Sequence, residues 1–454
     1  MDNFFFSIRT TIKRFASGSN VLIVATLLAL VCANVPGIRE YYNWFWELPV
    51  ELKLGSFNLF SHNGHPMTML EFVNDALMAV FFFSIGCEIK REVLIGELSS
   101  FRQALLPIIA ACGGMIFPVL VFYGIGIWEG GDFLNGCAIP MATDIAFSLG
   151  VLTMLGKRVP ISLKVFLTTL AVADDIGGIL VIAIFYGSTI NFTYLLSAFG
   201  LLLFLAISGS VFHIRRNPYY IVFGIAIWYL FVNSGIHPTI SGVLIAFCVP
   251  ATPKIAPKSF LEKMERLVKR FPVREEGELE TRTMMTANQL DWVNEINTSS
   301  NQIVSPLQKF EEMLAGVVNM FIIPFFAFAN AGIYLLDMEP SAAYSGVALA
   351  IIGGLFIGKF TGIFLFSWAT IKCGFARMPL HSTWKMLASV SMLGGIGFTV
   401  SLFIATLSFK GPDAASVLND AKLGIILGSL ISGIVGFLLL KATLPKEAAE
   451  EVEE

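Results

Sequence analysis

The chain has 454 residues, of which 56% are hydrophobic and only 14% charged, with a formal net charge of −3 and a mean hydropathy of +0.75. An ordinary soluble domain does not have this composition, and a near-neutral, slightly acidic balance offers nothing to nucleic acid. Apolar runs of membrane length are therefore the first thing to look for.

In chain order, the start "MDNFFFSIRTTIKRFASGSN" is basic and leads into an apolar run without a small-residue cleavage site, so residues 1–20 read as a retained cytoplasmic end and not as a signal peptide. Residues 21–252 form a first membrane part with about eight spans, near 15–35, 68–87, 104–127, 137–155, 162–187, 193–212, 219–234 and 237–252. Between the first two, "WELPVELKLGSFNLF" (Trp46–Phe60) alternates apolar and polar residues about Leu54-Gly55-Ser56 and reads as a small external β-hairpin near 46–60. A lone hairpin is marginal in water. It either pairs with its twin in a homodimer or lies on the membrane surface as an amphipathic loop.

Residues 253–305 mix Lys, Arg and Glu with possible short helices and read as a soluble cytoplasmic insert. Residues 306–441 form a second membrane part with about four spans, near 315–335, 343–371, 384–408 and 421–441, and 442–454 is a solvated acidic tail. The six cysteines have no paired or metal-like spacing and mostly fall in apolar runs, as packing residues do.

Lysine and arginine test the alternation. With the N-terminus inside, Arg9, Lys13, Arg14, Lys90, Arg91, Arg102, Lys157, Arg158, Lys164, Arg215, Arg216, the basic set from Lys254 to Lys309, Lys372, Arg377, Lys385, Lys441 and Lys446 share one side. The opposite loops hold only Arg39, Lys53, Lys410 and Lys422. That asymmetry fits twelve spans with both termini cytoplasmic. The fold class expected is an all-α polytopic membrane protein with about twelve transmembrane helices and a small external β-hairpin.

Ionisable residues inside the spans carry the functional reading. Asp174 and Asp175 lie together in "AVADDIGGIL", Asp144 and Asp75 lie in other spans, and Lys359 in "LFIGKFTG" is the only cation at comparable depth. A single aspartate at the bilayer centre costs about 2.5–3.5 kcal/mol, so such groups face a cavity or a partner and not lipid. Adjacent helical residues diverge by about 100°, so Asp174 and Asp175 flank a ligand or divide the work between an ion and a counter-charge. Gly177 and Gly178 follow on the face of Asp174, where small residues admit another backbone. Asp75, next to Asn74 near the start of its span, reads equally well as a structural hydrogen-bonding group.

Two spans look broken. "CAIPMATDIAFSLG" (Cys137–Gly150) carries a proline, a threonine and Asp144, and "SMLGGIGFTVSLF" (Ser391–Phe403) carries three glycines and a threonine. Interrupted segments at corresponding places of two halves point to a transporter's binding site, and irregular backbone at that depth must be buried in protein or line a cavity. Counting spans, the third to fifth match the tenth to twelfth as an inverted repeat with two discontinuous helices. Asp144 and Lys359 are the candidates to compensate the half-helix ends.

The motifs "AIPMATDIAFSLGVL", "LAVADDIGGILVIAIFY", "NDALMAVFFFSIGCEIKRE", "NSGIHPTISGV", "FFAFANAGI", "LFIGKFTGI" and "LGGIGFTVSLFIATLSF" resemble the NhaA family of bacterial sodium/proton antiporters, from the hairpin to the last span. The segment before "SPLQKFEEML" is longer than the family's usual connection. The resemblance implies a secondary antiporter of the bacterial inner membrane, in contact with membrane lipid, which extrudes sodium, and lithium, in exchange for protons, is electrogenic and pH-regulated, needs no cofactor and binds no nucleic acid.

It further implies that Asp175 is the main ion- and proton-carrying carboxylate, that sodium is held at Asp174 and Asp175, that Lys359 is the charge partner of Asp174, and that Thr143 and Asp144 contribute to the cation site. Glu88, Lys90, Arg91 and Glu92 match the family's pH-responsive cluster and His237 a histidine linked to pH response. As residues alone, "CEIKREV" reads equally well as a positive-inside anchor, and His237 as an interfacial hydrogen-bonder. Sodium is a hard cation that wants oxygen ligands, and proton and sodium then compete for one carboxylate. No nucleotide motif of the form GxxxxGK[ST] is present. An intramembrane aspartyl protease, a retinal-type pump using Lys359 and a sodium symporter are the rival readings. Proteolysis of a model helix, the colour of the protein and the direction of proton movement discriminate them.

Overall fold

The structure, a computed structural model, describes residues 18–445 apart from 56, 63, 132, 188, 270–283, 337, 339–341, 343 and 411–413. Most of the basic N-terminal stretch and of the acidic tail thus lie outside the described residues.

Each apolar run expected from hydropathy has a helical counterpart. Helix α1 is Gly18–Asn34 and α2 Ile38–Glu47; α3 is Met69–Ile95 and α4 Phe101–Trp128. Two short 3-10 turns, Leu134–Gly136 and Ile139–Met141, precede α5 (Ile145–Met154). Then come α6 (Ile161–Phe185), α7 (Phe192–Ser210), α8 (Asn217–Val232) and α9 (Thr239–Cys248). The segment before the second membrane part supplies α10 (Pro257–Lys269) and α11 (Ala287–Ile303). The last elements are α12 (Pro306–Asn330), α13 (Gly346–Lys372), α14 (Trp384–Leu393), α15 (Phe398–Ser408) and α16 (Ala415–Thr443). Among the described residues, eight helices are long and apolar enough to cross a membrane singly, and up to ten if each of two bent pairs counts as one span; α8 and α9 are shorter apolar helices. Many large apolar side chains, such as Leu27, Leu196, Leu203 and Leu438, are exposed on the outside of the bundle, as a lipid-facing surface requires.

The first bent pair corrects the boundaries of the expected hairpin. Helix α1 ends at "VPG", where Pro36 cannot continue the ladder and Gly37 adopts φ +86°, and α2 leaves at 110° to α1. Trp46, expected to begin the hairpin, is instead buried in α2 against Phe325 and Phe328 of α12, and the Tyr42 hydroxyl donates to the Phe328 carbonyl at 2.6 Å. The strands follow: β1 (Pro49–Val50), β2 (Lys53–Leu54), β3 (Phe57–Asn58), β4 (Ser61–His62) and β5 (His65–Thr68). Antiparallel β2 and β3 form the hairpin expected about Gly55, while β5 lies between β1 and β4 in a second small sheet.

Helices α10 and α11 lie side by side, with Lys263 and Glu295 3.4 Å apart. Ser305 then caps α12 in a capping box with Gln308.

Candidate functional site

The two broken segments cross. At the first break Ala142, Thr143 and Asp144 are extended between the 3-10 turn and α5, and at the second Gly394–Gly397 separate α14 from α15, which bend by 44°. The Asp144 amide donates to the Ile396 carbonyl at 2.6 Å, and the Thr143 hydroxyl donates to the Gly394 carbonyl at 2.9 Å. Ser401 closes the crossing by donating to Ile139 at 2.8 Å. Each break thus satisfies the other's freed backbone groups, as a water-poor interior demands.

Asp144 sits between two helix N-termini. Its Oδ1 accepts the Phe147 amide at 3.0 Å and caps α5, while Oδ2 accepts the Thr399 amide at 3.1 Å and the Thr399 hydroxyl at 2.5 Å in the first turn of α15. The other leading amides of α15, Gly397 and Phe398, donate to Ser429 Oγ of α16. One carboxylate therefore faces the positive ends of two half-helices, where an anion is stabilised. Asp144 fills the compensating role expected of it. Lys359 does not, because its ammonium is turned elsewhere.

That ammonium lies 2.5 Å from Asp174 Oδ2 in a fully buried pair. Lys359 follows a π-turn (Gly354–Gly358) in α13, a widening of the helix common at functional positions. Asp174 Oδ1 is buried and has no hydrogen-bond partner among the described residues, although Thr143 is among its polar neighbours. Asp175, next along α6, is also buried. Asp174, Glu88, Asp144 and Lys359 are the charged groups near enough to act on it. The expectation for the following glycines holds only in part. A Cβ at Gly177 would meet the flexible Met115 side chain of α4, not a backbone, and Gly178 has open space beside it.

The structure brings Asp144, Thr143, Asp174, Asp175 and Lys359 together, with Glu88 near enough to act on Asp175, and holds the other candidates apart. Lys90 donates to the Phe247 and Val249 carbonyls at 2.7 and 2.5 Å, neutralising the C-terminal end of α9. Arg91 bridges Glu92 and Glu311, each at 2.7 Å, and Glu92 also accepts the Glu97 amide. Glu88 is half-buried on the same helix, α3. His237 lies before the other end of α9, a ten-residue helix about 15 Å long. There it is buried, with Nδ1 2.9 Å from the Thr239 hydroxyl and Nε2 3.6 Å from Asp75 Oδ1.

Sequence reasoning missed Glu311, the Asp75–His237 pair, and Thr399 and Ser429 as caps of α15. Thr399 carried a signal, being the first hydroxyl after the glycines, whereas nothing local distinguishes Ser429 from the other small residues of α16.

The sequence profile of the family described as "Na+/H+ antiporter 1" matches residues 9–440. Among the most similar curated proteins, a "Na(+)/H(+) antiporter NhaA" of Phocaeicola vulgatus is 49% identical over 449 residues, which cover 99% of this chain and 98% of the relative. One of Parabacteroides distasonis is 49% identical over 447 residues, 97% of this chain and 98% of its own. One of Helicobacter acinonychis is 41% identical over 452 residues, 97% of each.

Proposed function

This chain belongs to the Na+/H+ antiporter 1 family, and from that premise we propose that it exchanges sodium for protons across the membrane by competition at Asp175 and Asp174. It is a secondary transporter and not an enzyme, a multi-pass membrane protein whose substrates are ions. The observation that carries the reading is the pair of adjacent buried carboxylates at the crossing: Asp175 is buried, and beside it lies Asp174 Oδ1, which has no hydrogen-bond partner among the described residues. Oxygen acceptors without donors suit a hard cation, and they suit a proton equally. Both cannot be held at once, so alternating access to the two sides converts competition into exchange.

Around that centre, Lys359 holds Asp174 in place when no cation is bound, and Thr143 supplies a further oxygen. Asp144, with both oxygens already accepting donors, acts on the cation through its charge while tying the two broken helices together. Lithium, also a hard cation, is a second substrate. The Glu88–Lys90–Arg91–Glu92 cluster, joined to Glu311, and the buried His237 are proposed to make activity pH-dependent. Both termini and residues 253–305 are assigned to the cytoplasmic side on the lysine and arginine asymmetry. The β2–β3 hairpin is assigned to a homodimer contact, because it is the part of the β-structure that does not join the β1–β5–β4 sheet.

The test is the Asp175→Asn variant in everted vesicles. It keeps the side chain's shape and removes the exchangeable charge, so sodium-driven proton movement should vanish while the protein still inserts and purifies normally. Exchange at an appreciable fraction of the wild-type rate overturns the assignment.

A further inference from the structure

A cavity of about 400 Å³ opens beside the small sheet, lined by His62, Thr189, Asn191, Asn233 and Gly235 among others. His62 ends β4 and His65 begins β5, and the two are direct antiparallel partners, with Gly64 between them at φ +86°. The register fixes which way they point. Pairing runs from Phe60 opposite Met67, whose amide donates to the Phe60 carbonyl at 2.9 Å, through Ser61–Pro66 to His62–His65. Side chains alternate along a strand, so Phe60, His62, His65 and Met67 share one face. Phe60 and Met67 are packed with Trp228, against the protein. The histidine pair is the next step outward on that same face, and His62 reaches the cavity.

Directly opposed cross-strand residues hold their Cβ atoms about 4.5–5.5 Å apart, a spacing at which two imidazoles close on one metal ion. Neither ring has a hydrogen-bond or ion-pair partner among the described residues, so both keep a nitrogen lone pair to offer. We infer that His62 and His65 form a two-histidine site for a divalent d-block cation such as zinc, seated at the mouth of this cavity. Imidazole is the ligand these ions favour over sodium or magnesium, which separates the site from the carboxylate centre in the spans. Among the described residues no cluster of three or more His, Cys, Asp or Glu side chains converges. Water is left to complete the shell, and the ion exchanges freely. Bound there, it clamps the β4–β5 turn over the loops that follow α6 and α8.

The test uses the full chain in detergent, with any affinity tag removed, titrated with zinc chloride in a calorimeter. One zinc per chain is expected, and His62→Asn and His65→Asn should each weaken its binding at least tenfold. His213→Asn with His381→Asn should change nothing. In the wild type loaded with one copper(II), electron paramagnetic resonance should show coupling to two imidazole nitrogens. Both single variants are checked for unaltered sodium–proton exchange, so that weakened binding is not read from a misfolded protein. Zinc affinity unchanged in either variant, affinity lost with His213 and His381, or copper coupled to fewer than two nitrogens overturns the site.

Discussion

At the scale of single residues, the informative contrast is between two buried carboxylates that use their oxygens differently. Asp144 accepts three donors and faces two helix N-termini, whereas Asp174 spends one oxygen on Lys359 and leaves the other without a partner among the described residues. Asp144→Asn retains an acceptor for capping but loses the charge. It should therefore weaken apparent sodium affinity more than it lowers the maximal rate, and an unchanged sodium dependence would make Asp144 purely structural. Asp144→Ala removes both caps, at about 0.5–2 kcal/mol each, so its melting temperature in detergent should fall clearly below that of Asp144→Asn. Lys359→Gln strands the Asp174 charge, a loss of about 3–5 kcal/mol for a broken buried pair. Adding Asp174→Asn to it should recover much of the thermal stability, and the same melts would reveal it. The sequence made these residues legible because intramembrane charge is too costly to be incidental. The partners were less legible: Lys359 was the sole cation at depth, but Thr399 and Ser429 become caps only through a crossing that no local pattern encodes.

At the scale of elements, hydropathy located the spans, and the prolines and glycines of "AIPMATD" and "LGGIGFT" located the breaks. The 110° departure of α2 was written in "VPG" yet hidden by the apolar-polar alternation that continues through Trp46, so the hairpin was begun too early. The join of α4 and α13 was not legible at all, since it depends on which glycines meet. A Cβ at Gly362 would lie 2.1 Å from the Gly113 carbonyl oxygen of α4, and one at Gly358 would lie 2.6 Å from Pro118 Cα. These are backbone contacts with nothing flexible to yield, and they flank Lys359. Gly362→Val should accordingly cost about 1–3 kcal/mol by overpacking and displace Lys359 from Asp174. The expected result is a lower melting temperature together with loss of exchange. A stable, active variant would mean that α13 can slide without consequence. For the hairpin, deletion should spare Trp46, which is anchored on α12, and remove only residues 52–59. The detergent-solubilised protein should then shift toward monomer by light scattering, whereas an unchanged mass would leave the hairpin a surface element.

At the scale of the whole molecule, the arrangement bears on how many charges cross the membrane in each cycle. In the exchange proposed above, a sodium ion entering between Asp175 and Asp174 Oδ1 would draw Asp174 away from Lys359. An ammonium deep in a low-dielectric interior without its counter-ion is disfavoured, so in the proposed exchange Lys359 would release a proton as Asp175 releases its own. On that proposal two protons would exchange for one sodium, and one net charge would cross. Each such charge is worth about 2.3 kcal/mol per 100 mV, so a membrane potential negative inside helps to expel sodium. The double change Asp174→Asn with Lys359→Gln removes the second titrating group while leaving Asp175 in place, and it avoids the stranded charge of either single variant. Exchange in that protein should approach one proton per sodium and lose its response to potential. The measurement is sodium-driven proton flux in proteoliposomes, with the potential clamped by potassium and valinomycin at two values. Wild type should accelerate at the inside-negative potential when sodium leaves the lumen, and the double variant should not. A wild type indifferent to potential, or a double variant as responsive as wild type, would confine Lys359 to holding Asp174 in place.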